Sequence, residues 1–165
     1  GKLVFRNVSV TTGKTGIKVN SEIDHPLGNW AVQLTAEATD VATDDLNNLW
    51  PETLGDNPRD WVIKNLSGGG VQVATINLAM HRGDDGAAAI DHIKGDMTMS
   101  DIDVQYLPGM PKVQKAAGRA EFDASSFSIF VDKGVADGIT VDSAKLVFSK
   151  LDTDNEWADI EFVAH

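Results

Sequence analysis

Cysteine is absent from the 165-residue chain, so disulfide bonds cannot stabilise it. A domain of this length can bury a sufficient core without cross-links, so the absence does not indicate a cellular compartment. Basic residues are scarce, because 14 Lys and Arg stand against 25 Asp and Glu, a formal net charge of −11. Binding to nucleic acid or to an anionic membrane surface requires the basic surface that this chain lacks. We therefore expect no nucleic acid among its partners, and any lipid contact must use apolar surface.

Long apolar runs are missing as well. No stretch approaches the roughly 18 apolar residues of a membrane-spanning helix, and no signal peptide opens the chain. We therefore expect a segment or a processed product of a longer protein, with a true N-terminus as the alternative. Hydrophobic residues make up 42% of the sequence, which is on the low side of globular usage but too high for bulk disorder.

Motifs for phosphate binding and for calcium binding are incomplete. Gly13-Lys14-Thr15 resembles part of a phosphate-binding loop, but Val8 stands where that loop needs its first glycine, so a hairpin turn is favoured. The acidic stretch 152–161 has the spacing of a calcium loop without the glycine of its sharp turn. A solvated turn between two strands is the favoured interpretation of that stretch.

Catalytic signatures are equally weak. The four histidines at positions 25, 81, 92 and 165 are scattered, and no two are four residues apart as in a helical zinc site. A serine nucleophile elbow is absent, and Ser67 followed by three glycines is typical of a helix end. We expect no catalytic residue, no metal and no cofactor, and therefore a protein that is not an enzyme.

Alternating apolar residues dominate the sequence and predict β-strands. The first strand carries Leu3, Phe5, Val8 and Val10, with a change of phase near Arg6–Asn7. Between Met99 and Ile102 a similar one-residue slip predicts a bulge near Ser100–Asp101. The connections are too short for parallel crossovers. The prediction is a mainly β (α+β) fold, with about nine antiparallel strands in a meander that forms an open curved sheet or groove.

A helical insert around 43–66 interrupts the strands. The stretch VATDDLNNLW has apolar residues at helical spacing, with Thr43 or Asp44 available as a cap. In DNPRDWVIKNL, Asp56 or Asn57 is predicted to cap a helix with Pro58 at its first position and Ser67–Gly68 at its end. We divide the single β-rich segment 1–165 into strands at 1–40, the insert at 41–67 and strands at 68–165.

The insert and the residues that follow it resemble the AsmA-like family, and more narrowly the YhdP-type proteins of Gram-negative envelopes. In that family a Trp-Pro pair enters a short helix with Arg and Trp, a glycine-rich turn follows, and a Tyr-Leu-Pro-Gly-x-Pro stretch precedes a strand pair. The ordered set covers roughly residues 49–150, and the matching elements are Trp50-Pro51, Arg59, Trp61, Gly68–Gly70, Tyr106–Pro111, Gly118, Ala120 and Phe122. We expect six of these residues to be structural anchors, namely Trp50, Pro51, Arg59, Trp61, Tyr106 and Pro108.

The resemblance implies a segment of a bridge-like lipid transfer protein. Such a protein is periplasmic, is anchored in the inner membrane, and conducts phospholipid toward the outer membrane along a hydrophobic β-groove. Its implied partners are phospholipid acyl chains and the neighbouring segments of the same longer chain. The alternative is a self-contained β-sandwich that binds a protein or has a structural role without lipid transport.

The candidate lipid-groove residues lie in two predicted strands on either side of the polar connection 82–95. If those strands pair, their apolar residues form one patch, and methionine side chains adapt well to flexible partners such as acyl chains. Burial beneath the helical insert as ordinary core remains an equal alternative. The candidates are Ile76, Leu78, Met80, Met97 and Met99.

Overall fold

A computed structural model describes residues 1–25, 27–50, 52, 56–150 and 157–164. Strands account for most of these residues, as the alternating pattern predicts. The strands are β1 (Lys2–Thr12), β2 (Thr15–Asp24), β3 (Ala31–Ala42), β4 (Leu66–Ser67), β5 (Gly70–Arg82), β6 (Ala88–Val104), β7 (Val113–Asp123), β8 (Ser126–Ala136), β9 (Ile139–Ser149) and β10 (Trp157–Ala164). Between β3 and β4 lie a 3₁₀ turn (Thr43–Asp45) and the helices α1 (Leu46–Leu49) and α2 (Asp56–Asn65). The helical insert hereafter means residues 43–65.

The strands form one antiparallel sheet in the order β1-β2-β3-β5-β6-β7-β8-β9-β10, and the two-residue β4 pairs with β6. Nine long strands in sequence order make a meander, which confirms the predicted fold class. The sheet is open, with β1 and β10 as its edge strands. Within the described residues there is no second sheet packed against it, so the architecture is not the sandwich of the alternative prediction.

Both predicted changes of phase are confirmed as irregularities in strand pairing. The register between β1 and β2 shifts between Phe5 and Val8, and Asn7 has a φ of 53°. Between β6 and β7 the register shifts between Met99 and Ile102, and Asp101 has a φ of 56°. A bulge leaves the apolar residues on both sides of it on the same face of the sheet.

The bulges of neighbouring strands lie beside one another. In β5 the register shifts between Val71 and Val73, and Val71 pairs with Met99 at the β6 bulge. Met99 in turn pairs with Gly118, where the pairing of β7 with β8 shifts again. This line of bulges crosses the middle strands, and because a bulged strand bends, it marks where the sheet changes direction.

The sheet has one apolar face and one polar face. Successive partners across the sheet show the apolar face as a continuous row: Ile17, Ala38, Ala74, Met97, Ala120, Ile129, Leu146 and Ile160. The next row along the strands points to the opposite face and is mostly polar: Lys18, Glu37, Thr75, Asp96, Glu121 and Ser128. Because side chains alternate along a strand, this two-residue period alone separates the faces.

The helical insert packs on the apolar face. The ring of Trp50 lies 5.4 Å from that of Phe122 in β7. Trp61 of α2 lies 5.8 Å from Phe127 in β8 and 5.1 Å from Phe148 in β9. The insert therefore crosses the strands from β3 toward β9, and the hydrophobic core lies between it and the sheet.

The ends of the insert differ from the prediction. Neither Thr43 nor Asp44 caps α1; the Thr43 hydroxyl instead donates a hydrogen bond to the Gly68 carbonyl, at 2.8 Å. Helix α2 begins at Asp56, so Pro58 is its third residue rather than its first. That position still costs no hydrogen bond, because the first four N–H groups of a helix have no partner within it. The helix ends at Asn65, before the predicted Ser67–Gly68, because Leu66 and Ser67 pair with Val104 and Asp103 of β6.

Candidate functional site

The five candidate groove residues lie together on the apolar face, because β5 and β6 pair as neighbours. Their environments differ, however. Leu78, Met97 and Met99 are buried, whereas Ile76 and Met80 are only half-buried. Met97 lines the space beneath α1 together with Leu46 and Trp50. The methionines of β6 therefore belong to the core beneath the insert rather than to an open groove.

The apolar face is open elsewhere, on the first three strands. Every residue of β1 is exposed, and its apolar-face side chains are Leu3, Phe5, Val8 and Val10, at 43–58% exposure. Their neighbours on β2 and β3 are half-buried and are also predominantly apolar. We call this region the open surface; it comprises Leu3, Phe5, Val8, Val10, Ile17, Val19, Ile23, Val32, Leu34 and Ala36.

The polar face of the same strands is occupied by charged pairs. Lys18 and Glu37 are cross-strand partners, with the ammonium nitrogen 3.6 Å from a carboxylate oxygen. Lys2 of β1 forms an ion pair with Glu22 of β2, and its hydrogen bond to Glu22 raises the pKa of Lys2 above the ordinary value. These pairs link β1, β2 and β3 on the polar face of the sheet. Because side chains alternate between the faces, the apolar residues of the open surface lie on the opposite face.

A cavity of about 290 Å³ lies where the open surface meets the insert. Its walls come from β2, β3, β5, β6 and β7 on the sheet side and from α1 and Trp50 on the other. The apolar side chains around it are Ile17, Leu34, Ala36, Ala38, Val41, Leu46, Leu49, Trp50, Val71, Ala74, Ile76, Met97 and Phe122. The cavity thus joins the covered and uncovered parts of the apolar face.

Arg59 holds the two helices of the insert together. It is 6% exposed, and its guanidinium donates to the carbonyl oxygen of Trp50 at 2.9 Å and to the carbonyl and side-chain oxygens of Asn47 at 3.2 and 2.9 Å. The last carbonyl groups of a helix lack partners within it. Arg59 therefore satisfies the end of α1 from the first half of α2.

The remaining predicted anchors have different positions. Trp50, Trp61 and Tyr106 are partly buried and pack against the core. Pro108 is exposed in the loop between β6 and β7. Pro51 lies outside the described residues.

The open surface includes residues that were recognised in the sequence only as generic strand positions. The alternation of Leu3, Phe5, Val8 and Val10 places them on one face, but it carries no information about whether another element covers that face. The signal that could have found them is position: they belong to the first strand, which forms an edge of the meander and is separated by two strands from the insert that follows β3.

Other kinds of site lack support among the described residues. No group of three or more His, Asp or Glu side chains there is arranged to hold a metal ion. Within that part of the chain, no helix has the length and apolar character needed to cross a bilayer. The candidate site is therefore the apolar face and its cavity.

Comparison with family models, with curated proteins and with solved structures gave no match to this chain.

Proposed function

We propose that this chain supplies an apolar sheet surface for phospholipid acyl chains, as one segment of a longer envelope protein that moves phospholipid between the inner and outer membranes. The observation that carries the proposal is the open surface on β1, β2 and β3. Monomeric soluble proteins rarely leave extended contiguous apolar patches exposed, and such patches usually mark a binding surface. With a net charge of −11, the surface is suited to an apolar ligand rather than to an anionic polymer.

The two edges of the sheet support the second part of the proposal. Strand β1 is eleven residues long and all of its residues are exposed, and β10 forms the other edge. An exposed edge strand presents unpaired backbone groups that a further strand can satisfy. Neighbouring segments of the longer chain would pair there and extend the apolar face into a continuous groove. The periplasmic location and the inner-membrane anchor of the longer protein are part of the same proposal.

A matched pair of substitutions on β1 tests this function. Val8 and Val4 are 43% and 45% exposed, but Val8 pairs with Val19 on the apolar face and Val4 with Glu22 on the polar face. We expect Val8→Asp to lower the phospholipid that co-purifies with the chain roughly tenfold or more, because a carboxylate beside an acyl chain is poorly solvated. Val4→Asp should leave the amount unchanged.

Mass spectrometry of lipid extracted from the purified intact chain, normalised to protein, gives the readout. Circular dichroism checks that both variants keep the sheet; both sites are exposed, so we expect them to do so. Wild-type protein that carries no phospholipid, or equal amounts on the two variants, would contradict the proposed function.

A further inference from the structure

We propose that the cavity between α1 and the sheet binds the terminal segment of one acyl chain. The inference rests on the proposed function, since it specifies where a chain lying on the open surface ends. Ile17, Leu34 and Ala36 belong both to the open surface and to the cavity wall. A chain on β2 and β3 can therefore continue beneath α1 without crossing a polar region.

The cavity has a closed end and an open end. At the closed end Val41, Leu46, Val71 and Met97 are all buried, with no more than 8% exposure. At the other end Ile17 of β2 and Leu34 and Ala36 of β3 are half-buried. An alkyl chain that enters from the open surface therefore meets α1, Trp50 and the ring of Phe122 as its far wall.

The wall of the cavity selects for hydrocarbon. Glu37 and Thr75 contribute atoms to the wall, but they belong to the polar row on the opposite face. There Glu37 pairs with Lys18, and the Thr75 hydroxyl donates a hydrogen bond to Asp96. The side chains that remain are aliphatic or aromatic, so a charged headgroup would have no partner within the cavity. The terminal methyl segment is the part of a phospholipid that fits.

The volume sets how much of the chain enters. An apolar cavity of about 150 Å³ accommodates one benzene, with its six carbons. By proportion, about 290 Å³ has room for about twelve carbons. This is a large part of one acyl chain but too little for two, so the cavity binds a single chain end while the rest of the lipid stays on the open surface.

Bromine-labelled fatty acids test the direction of entry, because bromine quenches tryptophan fluorescence on contact and Trp50 lines the cavity. The probes are 12-bromododecanoic acid, labelled at the chain end, and 2-bromododecanoic acid, labelled beside the carboxylate. We expect the first probe to quench the part of the emission that Trp50→Phe removes, and the second probe to quench that part much less. Equal quenching by the two probes, or quenching that Trp50→Phe leaves unchanged, would overturn the inference.

A matched alanine pair on β5 tests the cavity itself. Ala74 and Ala79 are both half-buried, but Ala74 lines the cavity and Ala79 points to the polar face, where it pairs with Gln33 and His92. Leucine at position 74 occupies space that about three methylene groups of the ligand would fill. We expect Ala74→Leu to raise the concentration of the 12-bromo probe needed for half-maximal quenching roughly tenfold or more. Ala79→Leu should leave that concentration unchanged.

The two proposals can fail separately. Phospholipid that co-purifies and depends on Val8, together with 12-bromo quenching that ignores Ala74→Leu, would reject the cavity and keep the open surface. If Ala74→Leu abolishes quenching but Val8→Asp does not change the amount of co-purified lipid, the open surface is rejected and the cavity is kept. If Ala74→Leu does not fold, the comparison of the two probes on wild type and Trp50→Phe still decides the inference.

Discussion

Replacement of Trp61 by alanine is expected to lower the free energy of unfolding by about 3 kcal/mol, near the lower end for a large aromatic residue because Trp61 is half-buried. The indole ring contacts Phe127 and Phe148, whose own rings lie 6.2 Å apart, so its loss opens a cavity over two strands at once. The neighbouring Val62 is fully buried, which limits how far α2 can move to fill that space.

Urea denaturation followed by circular dichroism measures this effect. Trp61→Phe keeps an aromatic ring in place and should recover most of the loss. Trp30→Ala is the control, because Trp30 is also half-buried but does not pack against the core cluster, so we expect a much smaller change. A Trp61→Ala midpoint equal to that of the wild type would mean that α2 does not pack on β8 and β9 in solution.

Replacement of Arg59 by methionine is expected to destabilise the chain by roughly 2–4 kcal/mol, although the apolar part of the side chain is kept. The guanidinium satisfies the Trp50 carbonyl and two oxygens of Asn47, and a hydrogen bond to a charged donor contributes about 1.5–3 kcal/mol. Loss of these bonds leaves the carbonyl oxygens at the end of α1 without this donor in a part-buried setting. Its adjacent ion pair with Asp60, 3.4 Å long, adds little because the Asp60 side chain is 78% exposed.

The same urea measurement applies to Arg59. Arg59→Lys should recover only part of the stability, because a single ammonium group cannot reproduce the planar fork that reaches two residues. The control is Arg119→Met, since Arg119 is half exposed and lies over Phe130 on the polar side of the sheet, 4.2 Å from the ring centre. If Arg59→Met and Arg119→Met changed the unfolding free energy equally, Arg59 would not join the two helices.

The strands could be predicted in detail because the sheet has one apolar and one polar face. In such a sheet, apolar residues at every second position predict both where a strand lies and which face each side chain points to. A one-residue slip in that pattern predicts a bulge. The bulges at Asn7 and Asp101 are cases in which the sequence pattern alone located an irregular backbone.

How much of the apolar face the helical insert covers could not be predicted, because it depends on contacts between residues far apart in sequence. Met97 and Val8 have the same alternating environment in the sequence, yet Met97 is buried and Val8 is 43% exposed. The difference arises from the path of the insert, which crosses toward β9 and leaves β1 uncovered. Local signals also misplaced the ends of the helices, because pairing of Leu66 with Val104 ends α2 before its glycine stop signal.

The line of bulges has a consequence for insertions and deletions. Removal of one residue at Asp101 would leave Ile102 and Val104, now 1% and 4% exposed, on the apolar face, because they would then follow Met97 and Met99 in an unbroken two-residue period. The bulge itself would be lost, and with it the local bend of β6. An added residue in the turn at 83–87 would reverse nothing, because that segment only joins the ends of two strands. The chain can therefore change length at its hairpin turns without altering the strands, whereas the loss of a residue at the line of bulges would straighten a strand that now bends there.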